Sequence, residues 1–302
     1  MRKRQAIDLI EEAEYYWQLS DKMKYNTAKF DISTDSNRRT FNKILCNLVN
    51  SRIKCPRPSR FLSNKPDSNF RMVKDVYHEL FNGKYDSVIS DFETKIHLDH
   101  NLDVFDSKIF SEMDFDNRSS KVVDIRIYSL TNIYSSVLLS HEEMHGLVEQ
   151  LPSPMGYNCN YDEVLPILLE KIVADKLDKK YGDNTLLKSD KVRFDHTRSC
   201  AYDYCFIDDL LRVNDSDLKK KFLISNVKEY NTNINYMYLI GTIYAERLFE
   251  YYQDNPMELM ARVDNIIQRN ESMFYVLSDL QVSLSNNDTI NAFNKTLKKV
   301  SS

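Results

Sequence analysis

Glycine and proline are scarce: the chain has 5 and 7 of them in 302 residues. Few tight turns and few helix breaks can be built from so little, which disfavours a fold of short hairpins and favours long helices. A basic surplus is also lacking. Lys and Arg number 41 against 45 Asp and Glu, and the formal net charge is −4 with the signs interspersed. So little positive charge cannot neutralise a phosphate backbone, and nucleic acid is not expected as a partner. No apolar run approaches the roughly 20 residues of a membrane helix, so no membrane is expected either. The five cysteines (Cys46, Cys55, Cys159, Cys200 and Cys205) are odd in number and lack zinc-finger spacing. They read as reduced thiols of a cytoplasmic chain. The basic start Met1-Arg-Lys-Arg runs into Asp8, Glu11, Glu12 and Glu14, which leaves no apolar leader segment.

What the chain does have is helical patterning. Apolar residues recur at helical spacing over 5–30, over Phe41–Val49 and over Met72–Phe81, and a fourth helix is expected over Tyr85–His97. Lys54–Asp67, with three prolines, reads as a loop, and the acidic stretch Asn101–Ser120 as a boundary or a loop over a cleft. Lys121–Tyr128 is the clearest strand, since Val123, Ile125 and Ile127 alternate with polar neighbours and Tyr128. An exposed strand edge there could hold an extended peptide. Helices are expected over 161–181, about 201–213 and 236–252, a polar loop over Asn184–Arg198, and a last helix over Leu280–Lys299. The fold class implied is mostly α, with a small sheet. Residues 1–118 would form an N-terminal helical region and 119–302 a second region.

The chemistry centres on Ser140–Gly146, S-H-E-E-M-H-G. His141 and His145 are four apart, just over one helical turn, so both rings leave one face and can share a tetrahedral Zn²⁺. Glu142, one position round, can act as a general base on a metal-activated water. Val137, Leu138, Met144 and Val148 supply apolar contacts, while Glu143 and Glu149 suit an exposed face. Leu151-Pro-Ser-Pro ends the helix. One zinc per chain is expected. A third ligand of His, Glu or Asp type should come from a facing helix. His196 lies 51 residues on, in the polar stretch, whereas Glu163 and Glu170 lie two turns apart on one apolar helix. Two weaker clusters carry no site: His78-Glu79 reads as an ordinary helix-surface histidine, and His97 with His100 as a solvated loop.

Glu163-Val-Leu-Pro-Ile-Leu-Leu-Glu170 resembles the E-x-P-S-x-x-x-E helix that follows H-E-x-x-H in zinc peptidases of the thimet oligopeptidase and oligoendopeptidase F family, with the proline shifted by one place. Tyr236-Met-Tyr238-Leu-Ile-Gly241 resembles that family's Y-x-Y-x-x-G. The likeness covers roughly residues 120–290. It departs at Met144, where the family has Gly, and in having no histidine between His196 and the C-terminus. The resemblance implies a helical zincin-like metallopeptidase with its small sheet before the H-E-x-x-H helix. It makes Glu163 the third ligand, puts Glu170 behind the ligands, and makes Tyr238 or Tyr236 the donor to the oxyanion of a peptide substrate. The competing reading is a catalytically silent helical protein with a structural zinc, closed by Cys159 as fourth ligand.

Overall fold

The structure is a computed structural model that describes residues 34–56, 60–98, 111–115, 122–127, 132–149, 161–212, 232–268 and 271–302. The expected helix over 5–30, His100, Cys159 and most of the acidic stretch lie outside those residues. The fold is mostly helical with one small sheet. Helix α1 (Asp35–Val49) starts where the Thr34 side chain accepts a hydrogen bond from Asn37 N at 3.1 Å, and it buries Phe41, Ile44, Leu45 and Leu48. Helix α2 (Pro66–Phe81) begins on a proline, whose missing N–H costs nothing in a first turn, and ends at Asn82 with φ 51°.

Helix α3 is shorter than expected, Asp86–Glu93, because the chain then enters strand β1 (Ile96–Leu98). Three residues are too few to show alternation in sequence. Strands β2 (Ser111–Phe115) and β3 (Val122–Ile127) complete a sheet of order β1-β3-β2. β3 runs parallel to β1, with Ile96 opposite Ile125, and antiparallel to β2, with Met113 opposite Ile125. Of the apolar residues read from sequence as one face, Ile125 and Ile127 are both buried. The peptide-edge reading does not hold, because β3 is paired on both sides.

Helix α4 (Tyr134–Glu149) carries the H-E-x-x-H stretch. Asn132 Oδ1 accepts from Tyr134 N at 3.0 Å at its start. Buried Asn69 on α2 donates to Asn132 O at 3.0 Å and accepts from Ser136 Oγ at 3.0 Å. Tyr77, also on α2, donates to Ser140 O at 2.8 Å, one residue before His141. Helix α5 (Val164–Tyr181) is buried on every side from Val164 to Ala174 and packs on α4. Its Pro166 sits in the first turn, where backbone N–H groups have no intrahelical partner. Gly182, φ 64°, closes it.

Helix α6 (Thr185–Arg212) corrects the expected polar loop over Asn184–Arg198. Its inward face is polar: Thr185, Ser189, Asp190, Arg193 and Thr197 are all buried, so apolar periodicity could not reveal it. Helices α7 (Thr232–Asp254), α8 (Pro256–Ile267), α9 (Met273–Asp279) and α10 (Asn287–Ser301) follow. The single C-terminal helix expected over Leu280–Lys299 is interrupted by Gln281 at φ 55° and restarts under the Asn286 cap. Phe41, Tyr77, Phe92, Ile125, Leu168, Phe194, Tyr244 and Phe293 all join one apolar cluster, which runs from α1 to α10. None of the described helices is long and apolar enough to cross a membrane.

Candidate metal centre

The core brings three donor groups to one point. His141 and His145 leave the same face of α4, and Glu163 stands at the start of α5 facing them. Nε2 of His141 lies 3.1 Å from Nε2 of His145, and Glu163 Oε2 lies 3.3 Å from the first and 3.7 Å from the second. A tetrahedron with metal–ligand bonds of ~2.0–2.1 Å has edges of ~3.3 Å. The three atoms therefore have the size of one tetrahedral face. Glu163 Oε2 is buried and accepts no hydrogen bond among the described residues. A carboxylate oxygen at that depth needs positive charge beside it, which either the two imidazoles in protonated form or a bound cation supplies. A His₂Glu donor set suits zinc and neighbouring divalent ions.

Both ring nitrogens of His141 are engaged. Its Nδ1 lies 2.7 Å from Glu170 Oε1, two turns along α5 from Glu163. A proton held on Nδ1 by that carboxylate leaves the Nε2 lone pair facing Glu163 and His145. Glu163 thus belongs to the triad and Glu170 stands behind it.

The charges are consistent with this. Among the described residues, Glu163, Glu170, Asp190 and Glu246 are buried with two buried Lys or Arg side chains, Lys171 and Arg193. Two negative charges remain before Glu142 is counted, which matches one divalent cation or two imidazoliums. Without a metal the protons take that place. Burial pushes His141 down, but Glu163 and Glu170 outweigh it and hold the ring well above its ordinary range. His145 is raised in the same way, burial again opposing and the Glu163 charge prevailing. Burial pushes Glu163 up, and the two imidazoles more than reverse it, so its carboxyl is held far below the usual carboxylate range.

Glu142 is 5% exposed, and its charge acts on both His145 and Tyr238. Its neighbour Glu143 does not face solvent as expected. It is 1% exposed because α4 is covered by α2, α3, α5 and the sheet, and burial holds its carboxyl well above the usual range. The two tyrosines part company. Tyr236 lies in the core with its ring 5.7 Å from Phe41 and 6.1 Å from Tyr204. Burial, then the charges of Glu163 and Glu142, raise Tyr238 well above its ordinary value, so its phenol keeps its proton near the site. The ring of His196 stands edge-on to Tyr238 at 4.8 Å. His196 falls in the stretch expected as a polar loop, yet α6 carries it to the site. Burial lowers it, with partial compensation from Glu163 and Glu170. Its Nε2 lies 3.7 Å from Cys200 Sγ, one turn along α6. By contrast, His78 is solvent-facing and paired with Asp86 at 2.8 Å.

No family model matches the sequence, and no curated protein matches it. Among solved structures, the chain is similar to a "putative peptidase" from Chlamydophila abortus, with a TM-score of 0.50 at 12% identity. The likeness covers 99% of this chain and 55% of that one, so this chain spans about half its neighbour's length. At such identity the likeness shows the fold alone.

Proposed function

We propose that the chain is a zinc-dependent metallopeptidase that hydrolyses peptide bonds, in the manner of the oligopeptidase family its motifs resemble. The observation that carries this is the triangle of His141 Nε2, His145 Nε2 and Glu163 Oε2, sized for one tetrahedral face. Three protein ligands, rather than four, are what a hydrolytic zinc site uses. The Chlamydophila neighbour is named as a peptidase, which agrees with the reading.

A bound zinc ion would supply Lewis acidity to the attacking water and to the scissile carbonyl. The protein's own groups do the rest. Glu142 accepts the proton of the attacking water and returns it to the leaving amine. Glu170 holds His141 in one tautomer. Tyr238, kept protonated, donates its phenol O–H to the oxyanion of the tetrahedral intermediate.

Glu142→Gln tests the reading. The variant keeps size and hydrogen-bonding capacity but cannot take a proton. It should retain wild-type zinc content and lose at least about 100-fold in peptide cleavage. Cleavage at the wild-type rate would remove Glu142 from the role.

A further inference from the structure

Behind Glu170 lies a buried charge cluster that neither the motif nor the fold likeness explains. Arg193, on α6, is 5% exposed. Its Nη1 lies 3.5 Å from Glu170 Oε2, while its Nη2 pairs with Asp190 and lies 3.0 Å from Glu246 Oε1. Lys171 Nζ lies 2.8 Å from each of the same two carboxylates. The other oxygen of Glu246 accepts from Thr296 Oγ1 at 2.6 Å. A continuous path of polar contacts therefore runs His141–Glu170–Arg193–Glu246–Thr296, from α4 to the C-terminal helix α10.

Holding helices together does not require such a cluster, since apolar side chains of similar volume commonly serve as well or better. What the ionic arrangement adds is orientation. Glu170 faces His141 with one oxygen, at 2.7 Å, and the Arg193 guanidinium with the other, at 3.5 Å, so opposite charge attracts it from both ends. Lys171 already compensates Asp190 and Glu246. Arg193 spans those two and Glu170 at once, a reach its planar guanidinium fork allows and a lysine ammonium does not.

We propose that Arg193 is a positioning residue of the metal centre, and that Thr296 on the C-terminal helix belongs to the same assembly. Together they hold Glu170, and through it the ring of His141, at the angle the metal requires. This rests on the reading of His141, His145 and Glu163 as metal ligands.

The test uses the full chain with two readouts: zinc affinity by competition with a chromophoric chelator, and the visible absorption of the Co²⁺-loaded protein, which reports ligand geometry. The variants are Arg193→Lys and Thr296→Val. The control is Lys295→Ala, on the same helix but solvent-facing and paired with Glu250. Arg193→Lys should raise the zinc Kd about 10-fold or more, and Thr296→Val should raise it less. Both should alter the Co²⁺ absorption while the far-ultraviolet dichroism stays wild-type, and Lys295→Ala should change nothing. Wild-type Kd and Co²⁺ absorption in both variants would overturn the proposal. So would a loss of affinity that only follows lowered thermal stability, with an unchanged Co²⁺ spectrum. If Arg193→Lys does not fold, Thr296→Val decides alone, and a silent result there overturns it. A wild-type chain that takes up neither ion would instead fail the metal reading, and the proposal with it.

Discussion

At the scale of single residues, the site is a contest between protons and a metal for the same three atoms. His141 has its folded value raised above the ordinary 6.5, so its contribution to stability is complete below that pH and is lost as pH rises through the folded value. Glu163 has its value depressed below the ordinary 4.5, so its contribution is complete above that pH and is lost as pH falls. The metal-free protein therefore draws fully on this ion pair between pH 4.5 and 6.5. Metal must displace the imidazole protons, which is harder in that window than above it. The rise in Tm on adding zinc should accordingly be larger at pH 8 than at pH 6. An equal or larger rise at pH 6 would mean that His141 is not a ligand. Legibility also differs residue by residue. His141, Glu142 and His145 are adjacent in sequence and their roles follow from helical spacing. Glu143 is not placed by its polarity, because a helix buried on all sides has no solvent face to receive it. Tyr236 and Tyr238 are two apart, about 200° round a helix. They must point to different sides, and only the fold tells which side faces Glu142.

At the scale of elements, the site depends on how closely α7 approaches the start of α5. A Cβ added at Gly241 would stand 2.7 Å from the Cβ of Glu163 and 3.1 Å from its carbonyl carbon. Neither atom is the end of a flexible chain, so one helix would have to move. This explains why the tyrosine stretch ends in glycine: the residue is needed for proximity, not for a turn. Gly241→Ala should destabilise the fold by roughly 1–3 kcal/mol through overpacking. It should also weaken zinc binding, because the displaced group is Glu163, the proposed third ligand. Calorimetry with a zinc titration would check both, and unchanged zinc affinity would detach Gly241 from the site. Helices with one apolar stripe, such as α1 and α2, were plain in the sequence. Helix α6 was not, because its buried face carries Asp190, Arg193 and Thr197, whose partners Lys171, Glu246 and Thr242 lie on other helices. Polar burial is settled by partners distant in the chain, which no local window contains.

At the scale of the whole molecule, one apolar core joins the first described helices to the last, and the candidate metal centre lies inside it where α4, α5, α6 and α7 meet. The sheet and α2 brace α4 from one side, through β3 and the Tyr77 bond to Ser140. Helices α6, α7 and α10 pack on one another, and α6 and α7 pack on α5, which in turn packs on α4. Mostly helical architecture with a small sheet before the histidine helix follows from the glycine and proline scarcity and from the one alternating strand. The register of that sheet does not, since β1 is three residues long and pairs across a sequence gap. The most direct experiment measures metal content of the purified protein together with cleavage of a quenched fluorescent peptide mixture, with and without a chelator, for wild type and His145→Ala. The wild type should carry close to one zinc per chain and cleave in a chelator-sensitive way, and His145→Ala should lose both. Stoichiometric zinc without cleavage would contradict the peptidase reading and make Cys159 the next residue to change. A wild-type chain that holds no metal even after reloading would contradict the metal centre itself.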